Sequence, residues 1–219
     1  MPKILIVAAT PFEIEPLARL LNTYIPLKRK NFVTVKHKEM SVDFLLSGVG
    51  MVNTALALGA SKSIQYDLMM NVGTCGAFNA DLKIGEVVNV SEDCFSELGA
   101  QDDDTFLSIS QINLGNEKVI ANNPFTNSYS QQFRKVKGIT VNTVHGNEYS
   151  ITEIKKRLNP DVESMEGAAF LLACNNFNRT CIQLRAVSNK VEKRNKENWN
   201  LPLAITNLNK CLIELLDAL

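Results

Sequence analysis

Carboxylate and amide side chains follow several apolar runs of this sequence. Glu13 comes after the first run, in "AATPFE", Glu163 and Glu166 lie in "DVESMEGAAF", and Asn189 lies in "RAVSNKVEKRN". Open α/β sheets bind their ligands at the ends of their strands. A carboxylate there can orient or deprotonate a water and can offset a developing positive charge. These residues are therefore candidates for hydrolytic chemistry.

Glu166 is the strongest of these candidates. It stands between Met165 and a run of small residues, where an unpaired carboxylate would be costly to bury. Glu13 taken alone is also compatible with a solvated carboxylate, which is favourable in the first turn of a helix. Glu163 has no clear functional match, and we interpret it as structural.

The stretch "DLMMNVGTCGAF", residues 67–78, predicts a buried strand that runs into a tight turn at Gly73 and Gly76. Small residues in a turn let backbone N–H groups converge on an anion. The stretch is therefore a candidate phosphate cradle, with Asn71 just before the turn.

Histidine and acidic clusters give weaker signals. His145 has no nucleophile or metal partner suggested nearby, and His37 is expected to be solvated. The acidic run "QDDDT" (101–105) is typical of a solvated loop. The sequence has no P-loop, dinucleotide fingerprint or His-Glu metal spacing, so we expect no cofactor and no metal.

Composition limits the partners. The 219 residues are 45% apolar, with 23 basic and 23 acidic residues, which argues against nucleic acid or a membrane surface. No linker divides the chain, so we expect one domain over 1–219. The apolar run near the N-terminus is too short to span a membrane. Five scattered cysteines indicate reduced thiols and a cytoplasmic protein.

The elements that must position these residues alternate between strand and helix. Residues 96–137 are polar and predict loops with at most one short strand. Such alternation predicts an α/β domain with a mixed sheet covered on both faces. The predicted strands are 3–9, 32–37, 41–48, 67–72, 85–92, 138–146 and 180–188, with a hairpin between the second and third, and the predicted helices are 11–22, 53–64, 151–158, 165–177 and 202–219.

Taken in order, the motifs resemble the nucleoside phosphorylase superfamily, and within it the purine nucleosidase branch. The resemblance spans nearly the whole chain and is weakest between about 100 and 137. It implies a single-domain mixed β-sheet, partly barrel-like, with helices on both faces, and hydrolysis of an N-glycosidic bond. It is carried by "ILIVAATPFEIEPL", "SGVGMVNTALALG", "NVGTCGAF", "DVESMEGAAF" and "RAVSNKVEKRNKENWNLPLAI", of which the last is similar to nucleosidases that release hypoxanthine in menaquinone biosynthesis.

The resemblance implies a role for each matching residue. Glu13 would orient or deprotonate the attacking water, and Glu166 would accept hydrogen bonds from the ribose hydroxyls while Met165 packs against the sugar. Gly73 and Thr74 would lie near the ribose and the base. Further implied contacts to the base come from Phe78, Tyr149 and Ser188.

Asn189 departs from the adenine-cleaving nucleosidases, which carry an aspartate at this position. An amide offers one acceptor and one donor group, which suits a protonated N7 and the 6-oxygen of hypoxanthine. With adenine, a donor would meet a donor. We therefore expect a 6-oxopurine nucleoside as the small-molecule substrate.

Three alternatives stay open. A nucleoside phosphorylase needs cations for phosphate, but Asn71 stands where family phosphorylases carry an arginine, and the loop at Glu13 carries carboxylates. A methylthioadenosine/S-adenosylhomocysteine nucleosidase is opposed by Asn189. A non-catalytic nucleoside-binding protein would not need both Glu13 and Glu166.

The resemblance also implies a homo-oligomer, with a dimer favoured, and Arg194 is a conceivable cation for a substrate's 5′ extension.

Overall fold

The computed structural model describes residues 1–23 and 33–219. The most apolar runs form the central strands β1 (Lys3–Ala8), β4 (Leu68–Ala77) and β11 (Cys181–Lys190). The other strands are β2 (Val33–His37), β3 (Met40–Leu46), β5 (Val87–Cys94), β6 (Gly99–Asp102), β7 (Thr105–Ser108), β8 (Lys118–Ile120), β9 (Arg134–Thr140) and β10 (Val162–Ser164).

Each predicted helix is confirmed to within a few residues. Polar side chains begin two of the helices, since Asn147 accepts from the Tyr149 and Ser150 N–H groups and Asn200 accepts from that of Leu203. The helices are α1 (Pro11–Leu20), α2 (Met51–Ala60), α3 (Glu148–Leu158), α4 (Gly167–Asn176) and α5 (Leu201–Asp217).

Part of the sheet closes into a barrel. Strand β4 pairs with β11, β11 with β5, β5 with β9, and β9 with β10, which returns to pair with β4. From β4 the sheet also extends outward through β1 and β3 to β2. Both parallel and antiparallel pairs occur, as between β1 and β3 and between β11 and β5. The predicted mixed, partly barrel-like sheet is confirmed.

Helices cover both faces of the extended part. Alternate residues of β1 point to opposite sides: Ile4 and Ile6 join the apolar core that contains residues of α1 and α5, whereas Leu5 and Val7 join the core that contains residues of α2 and α4. Across the first core, the buried Asn209 of α5 accepts from the Leu17 N–H and donates to the Glu13 carbonyl. This contact fixes the first turns of α1 to α5.

The region 96–137 contains more strand than expected. Strands β6 and β7 form a hairpin, β8 pairs with β5, and β9 begins at Arg134. Strand β9 ends at Thr140 rather than at 146, and β10, within "DVESMEG", was not predicted. These strands are short and polar, so their pairing depends on neighbours and not on an apolar alternation in the sequence. The hairpin of β2 and β3 is confirmed, although Phe32 lies outside the described residues.

The predicted turn at Gly73 and Gly76 is wrong, because β4 continues through both residues to Ala77. Strand β11 pairs with it along this whole length, with Gly73 opposite Arg185 and Gly76 opposite Asn189. The two glycines do not bend the chain. Because they lack side chains, they leave space for the residues that pack over β4. A Cβ on Gly73 would lie 2.6 Å from Glu13 Oε1, and one on Gly76 would lie 2.9 Å from Val191 Cγ2.

Candidate active site

A cavity of about 500 Å³ opens where β1 and β11 end and where β4 passes into the barrel. Six of the predicted site residues line it: Glu13, Thr74, Met165, Glu166, Ser188 and Asn189. Its other lining residues are Ala9, Thr10, Phe12, Val49, Cys75, Gly76, Val144, Glu163, Ser164, Trp199, Leu201, Pro202 and Ile205.

Glu13 is buried at the start of α1, with 9% of its surface exposed. Its Oε2 accepts from the Thr10 backbone N–H at 2.9 Å and from the Thr10 hydroxyl at 3.2 Å, and its Oε1 accepts from the Thr74 N–H at 3.2 Å. A carboxylate has about four lone-pair sites, so one remains for a further donor. Glu13 is therefore a fixed acceptor on the cavity wall and not the solvated first-turn residue that was its alternative.

Arg185 is the residue that sequence reasoning missed. It lies on β11, is 1% exposed, and its Nη1 lies 3.3 Å from Glu166 Oε2. Its Nη2 donates to the Asn71 side-chain carbonyl. The available signal was an arginine inside the apolar run "TCIQLRAVS", because a buried arginine needs a partner or a function.

Arg185 sets the electrostatics of the carboxylates. Burial raises the pKa of Glu13, the nearby Glu166 charge raises it further, and the Arg185 guanidinium opposes both. Two carboxylates and one guanidinium leave this part of the cavity with a net negative charge when all are ionised. Asn71 binds the Nη2 end of the guanidinium, whereas Glu166 faces Nη1.

Glu166 is held at the turn between β10 and α4. Its Oε1 accepts from the Gly50 N–H at 3.1 Å, and its Oε2 faces Arg185. The helix that follows is fixed by Thr140, whose hydroxyl accepts from the Ala168 N–H and donates to Asp93. Free acceptor sites on Glu166, which lines the cavity, are therefore presented in a fixed geometry.

Ser188 lies at an irregularity in the pairing of β11 with β4, between Val187 and Asn189, and Asn189 follows it. Such a bulge re-aims the side chains that follow it. The Ser188 hydroxyl donates to Asn189 Oδ1 at 2.8 Å, and Asn189 Nδ2 donates to the Lys190 carbonyl at 2.8 Å. Oδ1 therefore keeps one free acceptor site, and Nδ2 keeps one free N–H donor.

The structure pairs His145 with the Glu163 carboxylate, a contact that the sequence did not predict. Its Nδ1 lies 2.6 Å from Glu163 Oε2, and its backbone N–H donates to Glu163 Oε1 at 3.1 Å. Glu163 is 4% exposed and lines the cavity. Phe78 packs its ring edge against the imidazole, with centroids 5.7 Å apart.

Three predicted substrate-binding residues do not line the cavity. Gly73 lies behind Glu13 and Arg185, and Phe78 is buried against His145. Tyr149 is 75% exposed on α3, beside a separate cavity between α3 and β7. The aromatic rings of Phe12 and Trp199 do line the cavity, and Arg194 Cζ lies 5.1 Å from the centroid of the Trp199 ring.

The described ranges, 1–23 and 33–219, hold no group of His, Cys, Asp and Glu side chains arranged for a metal ion. None of the helices described there has the length and apolar composition needed to cross a membrane. The acidic run at 102–104 is exposed around the turn between β6 and β7.

Comparison with known proteins places this geometry in a family context. The family model described as "Phosphorylase superfamily" matches residues 3–217. Futalosine hydrolase of Thermus thermophilus is 27% identical over 180 residues, covering 79% of this chain and 80% of that protein. Aminodeoxyfutalosine nucleosidase of Campylobacter jejuni is 27% identical over 205 residues, covering 89% of this chain and 88% of that protein.

Solved structures share the whole fold. A futalosine hydrolase mutant of Helicobacter pylori superposes with a TM-score of 0.85 at 18% identity, covering 100% of both chains. The 5′-methylthioadenosine/S-adenosylhomocysteine nucleosidase of the same organism, with butyl-thio-DADMe-Immucillin-A, also gives 0.85 at 18% identity, covering 100% of this chain and 99% of that one. At this identity the likeness describes the fold and leaves the substrate to the residues of the site.

Proposed function

Because the chain belongs to the phosphorylase superfamily, we propose that it hydrolyses the N-glycosidic bond of a 6-oxopurine nucleoside, and that this nucleoside is futalosine. The products are then hypoxanthine and dehypoxanthinyl futalosine, in menaquinone biosynthesis. The observation that carries the proposal is the pair of buried carboxylates, Glu13 and Glu166, which line one cavity and both interact with the charge of Arg185.

Glu13 handles the attacking water. Three of its acceptor sites are filled by Thr10 and Thr74, and the remaining one receives the water hydrogen. Burial raises the pKa of Glu13 and so makes it a better proton acceptor once it is ionised. Arg185 keeps the ionised form accessible because its positive charge opposes the effect of burial.

Glu166 holds the ribose, and Asn189 holds the leaving base. Cleavage passes through a transition state in which the sugar becomes cationic, and the negative charge of Glu166 stabilises it. Met165, beside Glu166 on the cavity wall, packs against the sugar. The free donor of Asn189 faces O6 and its free acceptor faces the protonated N7 as hypoxanthine leaves.

Water suits this cavity better than phosphate does. Arg185 is a cation close to the site, but Glu166 lies 3.3 Å from it and Glu13 adds a second negative charge. A phosphate anion would meet net repulsion, whereas a neutral water would not. This favours hydrolysis over phosphorolysis.

The test is base release from futalosine, inosine and methylthioadenosine, each with and without inorganic phosphate. We expect hypoxanthine from futalosine at a rate that phosphate does not change, with no sugar phosphate detected by chromatography. Phosphate-dependent release would assign a phosphorylase. Binding without release of base from any of the three would assign a nucleoside-binding protein.

A second candidate is 5′-methylthioadenosine/S-adenosylhomocysteine nucleosidase activity. The rim of the cavity is apolar, with Phe12, Val49, Leu201 and Ile205 beside Trp199, and this surface suits an alkylthio group. The same rim accepts the aromatic part of futalosine's 5′ extension, with Arg194 next to Trp199 as a cation for its carboxylate. Adenine release from methylthioadenosine at a higher kcat/KM than hypoxanthine release from futalosine would favour this candidate.

The active unit proposed is a cytoplasmic homodimer of one-domain chains spanning residues 1–219. Contacts between α1 and α5 join the two ends of the chain and support one domain. All five cysteines are free thiols, which supports a reducing compartment. An exposed apolar surface on α2 supports the dimer: Val52 is 76% exposed and Leu56 is 72% exposed.

A further inference from the structure

The hydrogen-bonded pair of His145 and Glu163, of which Glu163 lies on the cavity wall, has no part in the proposed mechanism. His145 and Glu163 expose 13% and 4% of their side chains, and Glu163 lines the cavity. A carboxylate is costly to bury unless it is paired and hydrogen-bonded, and the His145 side chain and backbone N–H provide both here. An apolar residue would fill the same space at a lower free-energy cost of desolvation. The presence of a carboxylate therefore suggests a function.

The strand register places Glu163 beside the residue proposed to hold the base. Gly76 of β4 pairs with Glu163 of β10 on one side and with Asn189 of β11 on the other. A Cβ on Gly76 would lie 3.3 Å from Asn189 Nδ2 and 3.5 Å from Glu163 Cγ. The two side chains therefore approach the same point of the cavity from β10 and β11, the strands on the two sides of β4. The absence of a side chain on Gly76 leaves the space between them open.

The carboxylate is oriented by its partners. Because a carboxylate only accepts hydrogen bonds, His145 Nδ1 carries the hydrogen of the 2.6 Å contact to Oε2. Phe78 packs edge-on against the imidazole and limits its rotation. Oε2 accepts from His145 Nδ1 at 2.6 Å and from the His145 N–H at 3.4 Å, whereas Oε1 accepts only from this N–H, at 3.1 Å, and keeps a free lone pair for a further donor.

We propose that Glu163, held by His145, accepts a hydrogen bond from N1–H of a 6-oxopurine and determines the preference for this class of base. The inference rests on the proposed function, which brings a purine to Asn189. A 6-oxopurine presents O6 as an acceptor and N1–H as a donor, whereas a 6-aminopurine presents an amino donor and an unprotonated N1. The carboxylate matches the first pattern and repels the lone pair of N1 in the second.

Asn189 alone gives weaker discrimination. Its amide can rotate by half a turn and exchange donor for acceptor. This rotation loses the hydrogen bond from Nδ2 to the Lys190 carbonyl, whereas the Ser188 hydroxyl can donate to the Cys75 carbonyl and accept from the rotated Nδ2. A carboxylate has no such alternative, because both of its oxygens accept. Sites built from a fixed buried polar group reject the mismatched ligand most strongly.

The test is Glu163→Gln, assayed with futalosine and with its 6-amino-6-deoxy counterpart. The glutamine keeps the shape of the side chain but offers a donor as well as an acceptor. We expect kcat/KM for futalosine to fall about 10- to 100-fold, as for loss of a hydrogen bond to a charged group. For the 6-amino nucleoside we expect no loss or a gain, so that the ratio of the two values falls. An unchanged ratio would overturn the proposal, because a purely structural role would lower both values together.

Matched variants separate recognition from folding. Glu97 holds the same loop after β9 through Asn142, at 3.1 Å to its N–H, but does not line the cavity. Glu97→Gln should therefore leave the ratio unchanged. His145→Asn should lower the ratio in the same direction as Glu163→Gln, because it frees the carboxylate to turn. A changed ratio in Glu97→Gln, or an unchanged one in His145→Asn, would count against the proposal.

Binding of the free bases tests the inference independently of turnover. Calorimetry with hypoxanthine and adenine should show tighter hypoxanthine binding by the wild type and loss of this preference in Glu163→Gln. If the wild type binds hypoxanthine but hydrolyses none of the nucleosides, the proposed function fails while the base recognition stands. If hydrolysis proceeds and the variant keeps the wild-type preference, the base recognition fails alone.

Discussion

At the scale of single residues, the site depends on how three buried charges share one end of a cavity. The negative charge of Glu166 raises the pKa of Glu13, and the positive charge of Arg185, whose Nη1 lies 3.3 Å from Glu166 Oε2, opposes this effect. Arg185 is held in turn by Asn71. Its Nε has no hydrogen-bond partner among the described residues. The guanidinium is thus fixed by its terminal nitrogens and serves both carboxylates.

Replacing Glu13 with Gln should abolish the activation of water and preserve nucleoside binding. The amide cannot accept a proton, so we expect kcat to fall about 10²- to 10⁴-fold with little change in the equilibrium dissociation constant. Hypoxanthine release and calorimetric binding of futalosine measure the two effects. Near-normal turnover in Glu13→Gln would exclude the role proposed for Glu13.

The acidic limb of the pH profile should lie above the range of an ordinary glutamate. Burial, aided by Glu166, raises the pKa of Glu13, and only the ionised carboxylate takes a proton from water. As pH falls through this raised pKa, Glu13 becomes protonated and kcat/KM decreases. The profile of kcat/KM against pH checks this, and a limb near the usual glutamate value of about 4.3 would contradict it.

Replacing Asn189 with Asp should shift the base preference towards 6-aminopurines. The carboxylate accepts from a 6-amino group but meets O6 of hypoxanthine as a second acceptor, at a cost of about 1–3 kcal/mol. We therefore expect the ratio of kcat/KM for futalosine over its 6-amino counterpart to fall about 10- to 100-fold. A ratio equal to that of the wild type would contradict the role assigned to Asn189.

At the scale of elements, β4 makes room for the site because two of its residues, Gly73 and Gly76, have no side chain. Gly73 gives space to Glu13 and Arg185, and Gly76 gives space to Asn189 and Val191. Both glycines lie inside a strand whose neighbours pair with it on each side. Side chains from α1, β10 and β11 can therefore converge over the backbone of β4.

Adding one methyl group to β4 should disturb the catalytic centre without unfolding the chain. A Cβ at Gly73 would lie 2.6 Å from Glu13 Oε1 and would also meet the Arg185 guanidinium. Displacing these groups by about 1 Å can lower kcat/KM about 10²-fold, and we expect at least this loss in Gly73→Ala.

The control for Gly73→Ala is Gly59→Ala on α2. Nothing lies within 4 Å of a Cβ at Gly59. This variant should keep full activity and gain about 0.5–1 kcal/mol in the free energy of unfolding, because alanine stabilises a helix interior. Denaturant titration and hypoxanthine release distinguish the two variants, and equal activities would contradict the steric explanation.

At the scale of the whole molecule, an apolar surface on α2 is left uncovered by the closed barrel and the other helices. Val52 and Leu56 project from α2, next to a groove of about 330 Å³ lined by residues of α2 and α4. Val49, just before α2, lines the candidate active site. A second copy packed on this surface would therefore lie near the cavity mouth.

Replacing Leu56 with Glu should give a monomer. Leu56 is 72% exposed, so the change leaves the core intact while it places a charge in the proposed interface. Leu114→Glu is the matched control, because Leu114 is 73% exposed in the loop between β7 and β8. Light scattering after gel filtration should give a dimer for the wild type and the control and a monomer for Leu56→Glu. A monomeric wild type would contradict the proposal.

The sequence by itself determined the fold class and six residues of the cavity wall. Long apolar runs predicted β1, β4 and β11, and the resemblance to the superfamily identified Glu13, Thr74, Met165, Glu166, Ser188 and Asn189, all of which line the cavity. These signals are local, because each depends on one run or motif and on the element that carries it.

The tertiary structure decided the rest. Residues 73–77 form strand instead of a turn because β11 and β10 pair with them, and local glycine propensity is weaker than this pairing. Arg185 and the His145–Glu163 pair lie at the site because β11 and β10 pair with β4 in a particular register, although these strands are far apart in the sequence. Tyr149 lies at another surface because α3 places it beside a separate cavity. Which charges face each other across a barrel depends on strand register, and no single stretch of the sequence encodes it.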